Sequence, residues 1–375
     1  MDPQGDAGDD ASAHQTGPRA AAPPLVPPGP PVTALADIEA WKARKTYPST
    51  LYAGGPVFGV AREHPGGGWE LQPYFAGLAP QDARDELGSH FRGLARTAAA
   101  AGDTGAEAEY LAAALRLDAE APDELTVRGE RFRIVRAERF IRMGPDGPEP
   151  PRATDPDPGG PGDPETATDP ADGLVIAPYE AADATSDGIL TAELLAAVSR
   201  NDAVPAAVAE DSRTAVHTHP GGLLLPATFM TAEREGGSWR PDSAGISTTP
   251  QAARDGLAMY LRVMVAWQKD LTPEEHEPYK RAADLLDGER RDELDVAGRH
   301  FRIIRVERLM RLGPDGPEGP RLSDLPQDGR LREQSTYPGP DDAEGEEPDE
   351  RMARFLELFE EERLRREARR GDETG

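Results

Sequence analysis

The chain has 375 residues, 69 of them acidic and 42 basic, and a formal net charge of −27, so as a whole it repels nucleic acid and anionic membrane. It has no cysteine, which excludes disulfides, thiolate metal sites and cysteine nucleophiles. With 37% hydrophobic residues, 39 Gly and 38 Pro, it is too polar to pack throughout as one body.

Residues 1–35 are rich in Pro and Ala and read as a disordered tail. Their acidic start has no apolar signal-peptide core. No stretch reaches the roughly 18 apolar residues of a membrane span, since the longest candidate, Ala258 to Trp267, is broken by Arg262. A cytoplasmic protein without membrane contact is the expectation.

Residues 36–155 read as a first α+β unit. Pro56–Arg62 and Trp69–Tyr74 flank a turn-forming His64-Pro65-Gly66-Gly67-Gly68 and predict a hairpin. Pro80 opens a helix whose Ala83, Leu87, Phe91, Leu94 and Ala98 share a face. A second helix carries Tyr110, Leu111, Ala114 and Leu115. A hairpin turning at Arg128-Gly129 follows, then a Gly-Pro-Asp-Gly-Pro turn. Residues 156–185 form an acidic linker. From 153 to 185 there are eight acids and no base, a self-repelling composition.

Residues 186–324 read as a second unit of the same kind. Asp123–Asp155 aligns without gaps on Asp292–Asp324 with 21 identities in 33 positions. Upstream, PQDARDEL (80–87) matches PQAARDGL (250–257), and Thr46-Tyr47-Pro48 matches Thr218-His219-Pro220. The expected fold is therefore α+β, two homologous copies of a small antiparallel sheet with helices. In the second copy Thr272-Pro273-Glu274-Glu275 is a capping box. Residues 325–349 form an acidic loop. Residues 350–371 form an amphipathic helix with Met352, Phe355, Leu356 and Phe359 in a stripe.

Two motifs carry candidate chemistry. The first is an arginine ladder: Arg133, Arg136, Arg139 and Arg142 in one copy, and Arg302, Arg305, Arg308 and Arg311 in the other. Residues 125–144 hold six Arg and two Glu. Guanidinium groups grip carboxylate or phosphate bidentately, so Arg136, Arg139, Arg142, Arg305, Arg308 and Arg311 are the candidate binding residues. The competing reading, pairing with the chain's own acids, carries more weight. Arginines three apart alternate faces on a strand, and no interleaved aromatics support base stacking.

The second motif is His217-Thr218-His219-Pro220. Two His at i,i+2 on an extended segment point the same way and could share zinc. The motif resembles the core of JAMM-type metalloproteases, in which a Ser and a ligating Asp follow. Ala227 and Met230 stand at those places, and Lys45 and Tyr47 stand at the histidine positions of the other copy. A plain polar segment leading into a strand outweighs a metal site, and no cofactor is implied.

The segments FRIVRAERFIRMGPDGPE and FRIIRVERLMRLGPDGPE, the stretch 218–229 and the C-terminal MARFLELFEEERLRREARR resemble an uncharacterised protein family of Streptomyces and related actinobacteria. The resemblance implies a cytoplasmic bacterial protein and carries over no catalytic residues. The sequence thus points to a non-enzymatic binding or scaffold protein whose partner is a protein or small ligand, with nucleic acid disfavoured. Self-association through the C-terminal helix is part of this reading. The alternatives are a degenerate zinc hydrolase using His217 and His219, or an immunity-type inhibitor.

Overall fold

The structure, a computed structural model, describes residues 32–163, 169–177, 186–198, 205–242, 245–325 and 350–373. Most of the expected tail, parts of the linker and nearly all of the acidic loop lie outside these residues. The chain begins with α1 (Val32–Thr46), β1 (Ser49–Tyr52) and the hairpin of β2 (Val57–Glu63) and β3 (Trp69–Leu71). Helices α2 (Pro80–Ala100) and α3 (Thr104–Glu120) lead to β4 (Glu124–Val127), β5 (Glu130–Gly144) and β6 (Gly147–Pro148). Next come β7 (Val175–Ile176), α4 (Ser186–Val198), α5 (Ala206–Thr218), β8 (Gly221–Glu235) and β9 (Ser238–Pro241). Helix α6 (Pro250–Met259) passes through a π-turn (Tyr260–Met264) into α7 (Val265–Lys269). The chain continues through α8 (Pro273–Glu289), β10 (Glu293–Val296), β11 (Arg299–Gly313), β12 (Gly316–Pro317) and α9 (Glu350–Glu373).

Local chemistry sets these boundaries. Arg128 and Gly129 have φ of 52° and 83°, and Ala297 and Gly298 have 49° and 77°, so both tight turns carry two left-handed residues, as a type I′ hairpin requires. Gly147 and Gly316, at φ 115° and 111°, close the later turns. A Cβ at Gly147 would overlap the Trp239 indole, and one at Gly316 the Trp69 indole. The capping box at α8 forms as expected: Thr272 Oγ1 accepts from the Glu275 amide, and Glu275 accepts from the Thr272 amide at 2.9 Å.

The strands form one antiparallel, curled sheet in the order β7-β3-β2-β5-β11-β8-β9. Its centre is the β5–β11 pair, with Arg139 opposite Arg308. One face packs under α2 and α3 around Phe91, Phe132 and Ile134, and under α6 and α8 around Leu257, Phe301 and Ile303. The other face buries Val135, Ala137 and Met310 at one end and Ile141, Ile304 and Val306 at the other.

Three local expectations change. In α3 the buried face is Ala106, Ala113, Ala114 and Leu117, whereas Leu111 and Leu115 are exposed, because small residues let α3 lie close to α2. His217 is in the last turn of α5 and His219 caps it, so the segment is a helix end and not a strand. On α9, Met352, Leu356 and Phe359 face solvent, while Glu362 is buried and receives Arg262, Arg365 and Arg366. That helix docks through charge as well as through Phe355 against Trp267. No helix among the described residues is long and apolar enough to cross a membrane.

Candidate functional site

Side chains alternate along a strand, so the ladder divides between the two faces of the sheet. Arg136, Arg139, Arg142, Arg308 and Arg311 are buried, and the Arg305 side chain is 11% exposed. Arg136 donates to Asp324 at 2.8 Å and Glu138 at 3.0 Å, and Arg321 reaches Glu138 at 2.9 Å and Glu318 at 2.7 Å. Likewise Arg305 pairs with Asp155 and Glu307, while Arg152 reaches Glu149 and Glu307. In both networks the segment after a Gly-Pro-Asp-Gly-Pro turn crosses onto the other long strand.

Arg133 and Arg302 make the same kind of crossing. Arg133 donates to the carbonyls of Asp315 and Pro317 and lies 4.6 Å from the Trp69 ring centre. Arg302 donates to the carbonyls of Asp146 and Pro148 and lies 4.6 Å from Trp239. Arg308 holds Asp169 through two bonds of 2.9 Å. Asp155, Asp157 and Asp169 of the acidic segment are thus seated on Arg305, Arg254 and Arg308 instead of repelling one another.

Burial opposes ionisation of Glu138, but Arg136, Arg321 and Arg311 outweigh it and hold its carboxyl below the usual range. Glu307 is held down in the same way by Arg305, Arg152 and Arg142. Arg139, Arg142 and Arg311 go the other way, and burial lowers all three. Among the described residues the ladder arginines are buried or nearly so; Arg136, Arg305 and Arg308 pair with the chain's own acids, and Arg139 donates to the Gly55 carbonyl. His219 accepts or donates at 2.9 Å with Thr218 Oγ1. Among the described residues no group of three His, Asp or Glu is placed to hold a metal.

A cavity of about 400 Å³ lies elsewhere, between β8, β9 and α6, and is walled by Glu233, Asp242, Gly256, Leu257, Tyr260 and Arg299 among others. That volume suits a small ligand. Arg299 donates to both carboxylate oxygens of Glu233, at 2.6 and 2.7 Å, and to the Tyr260 hydroxyl at 2.9 Å. Its guanidinium lies 4.6 Å from the Phe301 ring centre and 5.3 Å from that of Tyr260. The bond from Arg299 holds the Glu233 carboxyl below its usual range. Tyr260 reaches this wall at ordinary helical spacing from Ala253, Gly256 and Leu257, and the helix widens just beyond it, where the Val265 amide bonds to the Tyr260 carbonyl, five residues back. Gly256, one turn earlier, is exposed, and a Cβ there would meet nothing within 4 Å.

The first half has a different arrangement at these positions. Phe301 pairs with Glu233 across the sheet, and Phe132 pairs with Arg62. Arg62 bonds Glu70 and Glu130, so the charges are reversed. Helix α2 runs 21 residues without a π-turn and carries Glu86 where α6 carries Gly256. Sequence reading passed over this cavity, although the Glu86/Gly256 difference was visible in the aligned octapeptides.

The fold is α+β, with a cavity of about 400 Å³ beside α6. By sequence the chain belongs to DUF5954, a family of unknown function, whose match covers residues 30–327 and leaves α9 outside. No curated protein matches it, and no solved structure does.

Proposed function

We propose that this is a non-enzymatic binding protein, built from two copies of one α+β unit, whose second copy holds a small organic ligand in the cavity beside α6. The ladder arginines are the clasp between the copies. Support for the duplication is the 21 identities in 33 positions, together with contacts that recur in both directions, Arg133 on the 315–317 turn and Arg302 on the 146–148 turn.

The observation that carries the binding reading is the local weakness of the helix at the cavity. A glycine inside a helix costs about 0.5–1 kcal/mol relative to Ala, and Gly256 has no packing reason to be glycine. The π-turn sits one turn further on, and such turns recur at functional sites. Gly256 and Tyr260, the first residue of the π-turn, border the cavity, whereas α2 has Glu86 at the matching position and no π-turn, its own glycines, Gly88 and Gly93, lying further along. The wall offers the Arg299 guanidinium set against the Tyr260 and Phe301 rings, which are inclined at 63° to each other, beside carboxylates, and this fits a ligand with an apolar part and polar groups.

A thermal-shift screen of metabolite-sized compounds tests this on the wild type and on Gly256→Glu, which installs the residue of the other half. Binding to the native state raises the midpoint. Compounds that stabilise the wild type should lose their effect in Gly256→Glu. Equal shifts in both proteins, or no stabilising compound at all, would sink the reading.

A further inference from the structure

We infer that His276 is the latch that holds the π-turn beginning at the cavity-wall residue Tyr260, and that the latch loosens in mild acid. The inference rests on the proposed function only for its consequence on binding. The latch itself is a property of the fold and is measured separately.

His276 is in the first turn of α8, whose start is fixed by the Thr272–Glu275 capping box. Its side chain is buried, and Nε2 lies 3.0 Å from the Leu261 carbonyl, in the middle of the π-turn. A ring nitrogen facing a carbonyl must carry the hydrogen, so the neutral ring is the Nε2–H tautomer. A side chain reaching into the helical ladder is one of the few physical causes of a local break in a helix. The first half lacks this contact. There the cap is Asp103, the residue four positions on is Glu107, half-exposed, and α2 is unbroken.

The next residue but one from Tyr260 is pinned as well. Arg262 is buried and bonds Asp287 at 2.6 Å, Asp284 at 2.7 Å and Glu362 of α9 at 3.5 Å. The π-turn is therefore held from two sides, and His276 is the one titratable hold whose charge changes near neutrality. The charged groups around it are Lys280 and Glu277 on α8 and Arg354 on α9. Burial is the largest influence and keeps the ring's pKa below 6.5; the bond to the Leu261 carbonyl, next in size, and Glu277 oppose it, while Lys280 and Arg354 add to the lowering. The unfolded chain takes up the proton first. Stability contributed by the neutral ring is full above 6.5 and is lost as pH falls through the window below it. A protonated ring would still donate to Leu261. What it adds is an uncompensated charge between Lys280 and Arg354, relieved when the π-turn or the start of α8 moves to admit water.

The test is amide hydrogen exchange on the full chain at about pH 7.5 and about pH 5, corrected for intrinsic rates. It is run on the wild type, on His276→Gln, which keeps an uncharged donor, and on His276→Phe, which has none. Protection of residues 260–265 should fall about tenfold or more in the wild type at the lower pH, stay high in His276→Gln at both, and be low in His276→Phe at both. Protection of β11 in the same samples reports whether each variant is folded. If His276→Phe unfolds, the His276→Gln arm decides alone. Wild-type protection that does not change with pH, or a His276→Gln protein that responds as the wild type does, overturns the latch. Gly256→Glu blocks the cavity without touching His276. A failed compound screen with intact pH-dependent protection therefore overturns only the binding reading.

Discussion

Arg139 and Arg308 face each other across the two central strands, and both are out of solvent. Like charges directly opposite destabilise a sheet, so what matters is how each is compensated. Arg308 is gripped by both oxygens of Asp169. Arg139 donates through Nε to the Gly55 carbonyl, has no ion pair among the described residues, and buries Nη1 without a partner. Replacing an uncompensated buried charge by an apolar side chain of similar length relieves its desolvation. Arg139→Met should therefore raise the free energy of unfolding by about 1–4 kcal/mol, whereas Arg308→Met, which strands a buried Asp169, should lower it by about 3–5 kcal/mol. Urea denaturation reads both, and a loss of stability in Arg139→Met would show that this charge has a partner. The alternation of the arginines between faces was legible in the sequence from the period of a strand. Their unequal fates were not, because the counter-ion of Arg308 comes from a segment 139 residues away.

Helix α6 shows what a single element reveals and conceals. Its start was readable from Pro250 and the aligned octapeptide. The π-turn was not, since it depends on His276 arriving from another helix. If Gly256 is kept for the space it leaves, Gly256→Ala should stabilise the protein by about 0.5–1 kcal/mol, because its Cβ meets nothing within 4 Å. A lower thermal midpoint in Gly256→Ala would mean the glycine serves the helix and not the cavity. Thr272→Ala removes a cap worth about 1 kcal/mol and frays the start of α8. It should reduce exchange protection at 260–265 together with the first turn of α8, and unchanged protection there would separate the cap from the latch. The histidine segment obeys a related rule. Its alignment with Thr46-Tyr47-Pro48 is matched in three dimensions, since α1 ends at Thr46 and α5 at Thr218. Proline is common one or two residues past a helix end because it cannot continue the helix. Pro48 and Pro220 occupy that place, so the residues before them belong to a helix terminus and not to an extended segment.

At the scale of the whole molecule, the recurrence of 123–155 at 292–324 was legible from identity alone, but the way the halves interlock was not. Each half sends the segment after its glycine turn across the β5–β11 seam: the Arg136 amide bonds the Glu318 carbonyl at 3.0 Å, and the Arg305 amide bonds the Glu149 carbonyl at 2.8 Å. Glu138 and Glu307 sit under these crossings and are each bound by arginines from both halves. Neither half can open without exposing the other's buried charges, so heat should unfold the described body in one transition. Glu138→Gln leaves Arg136 and Arg321 short of a buried counter-charge and should cost about 3–5 kcal/mol. Because the network is shared, the calorimetric peak should move down as a whole and not split, and two peaks would mean the halves are independent. The acid response has a definite sign. Both carboxyls are held below their unfolded value of 4.5, so their contribution is full above that pH and is lost as pH falls through the lower, folded values. The His276 contribution is lost earlier, below 6.5. Stability against pH should therefore fall in two steps, with His276→Gln removing only the upper one and Glu138→Gln shrinking only the lower. A single step that neither substitution alters would show that these buried groups do not set the acid stability of the protein.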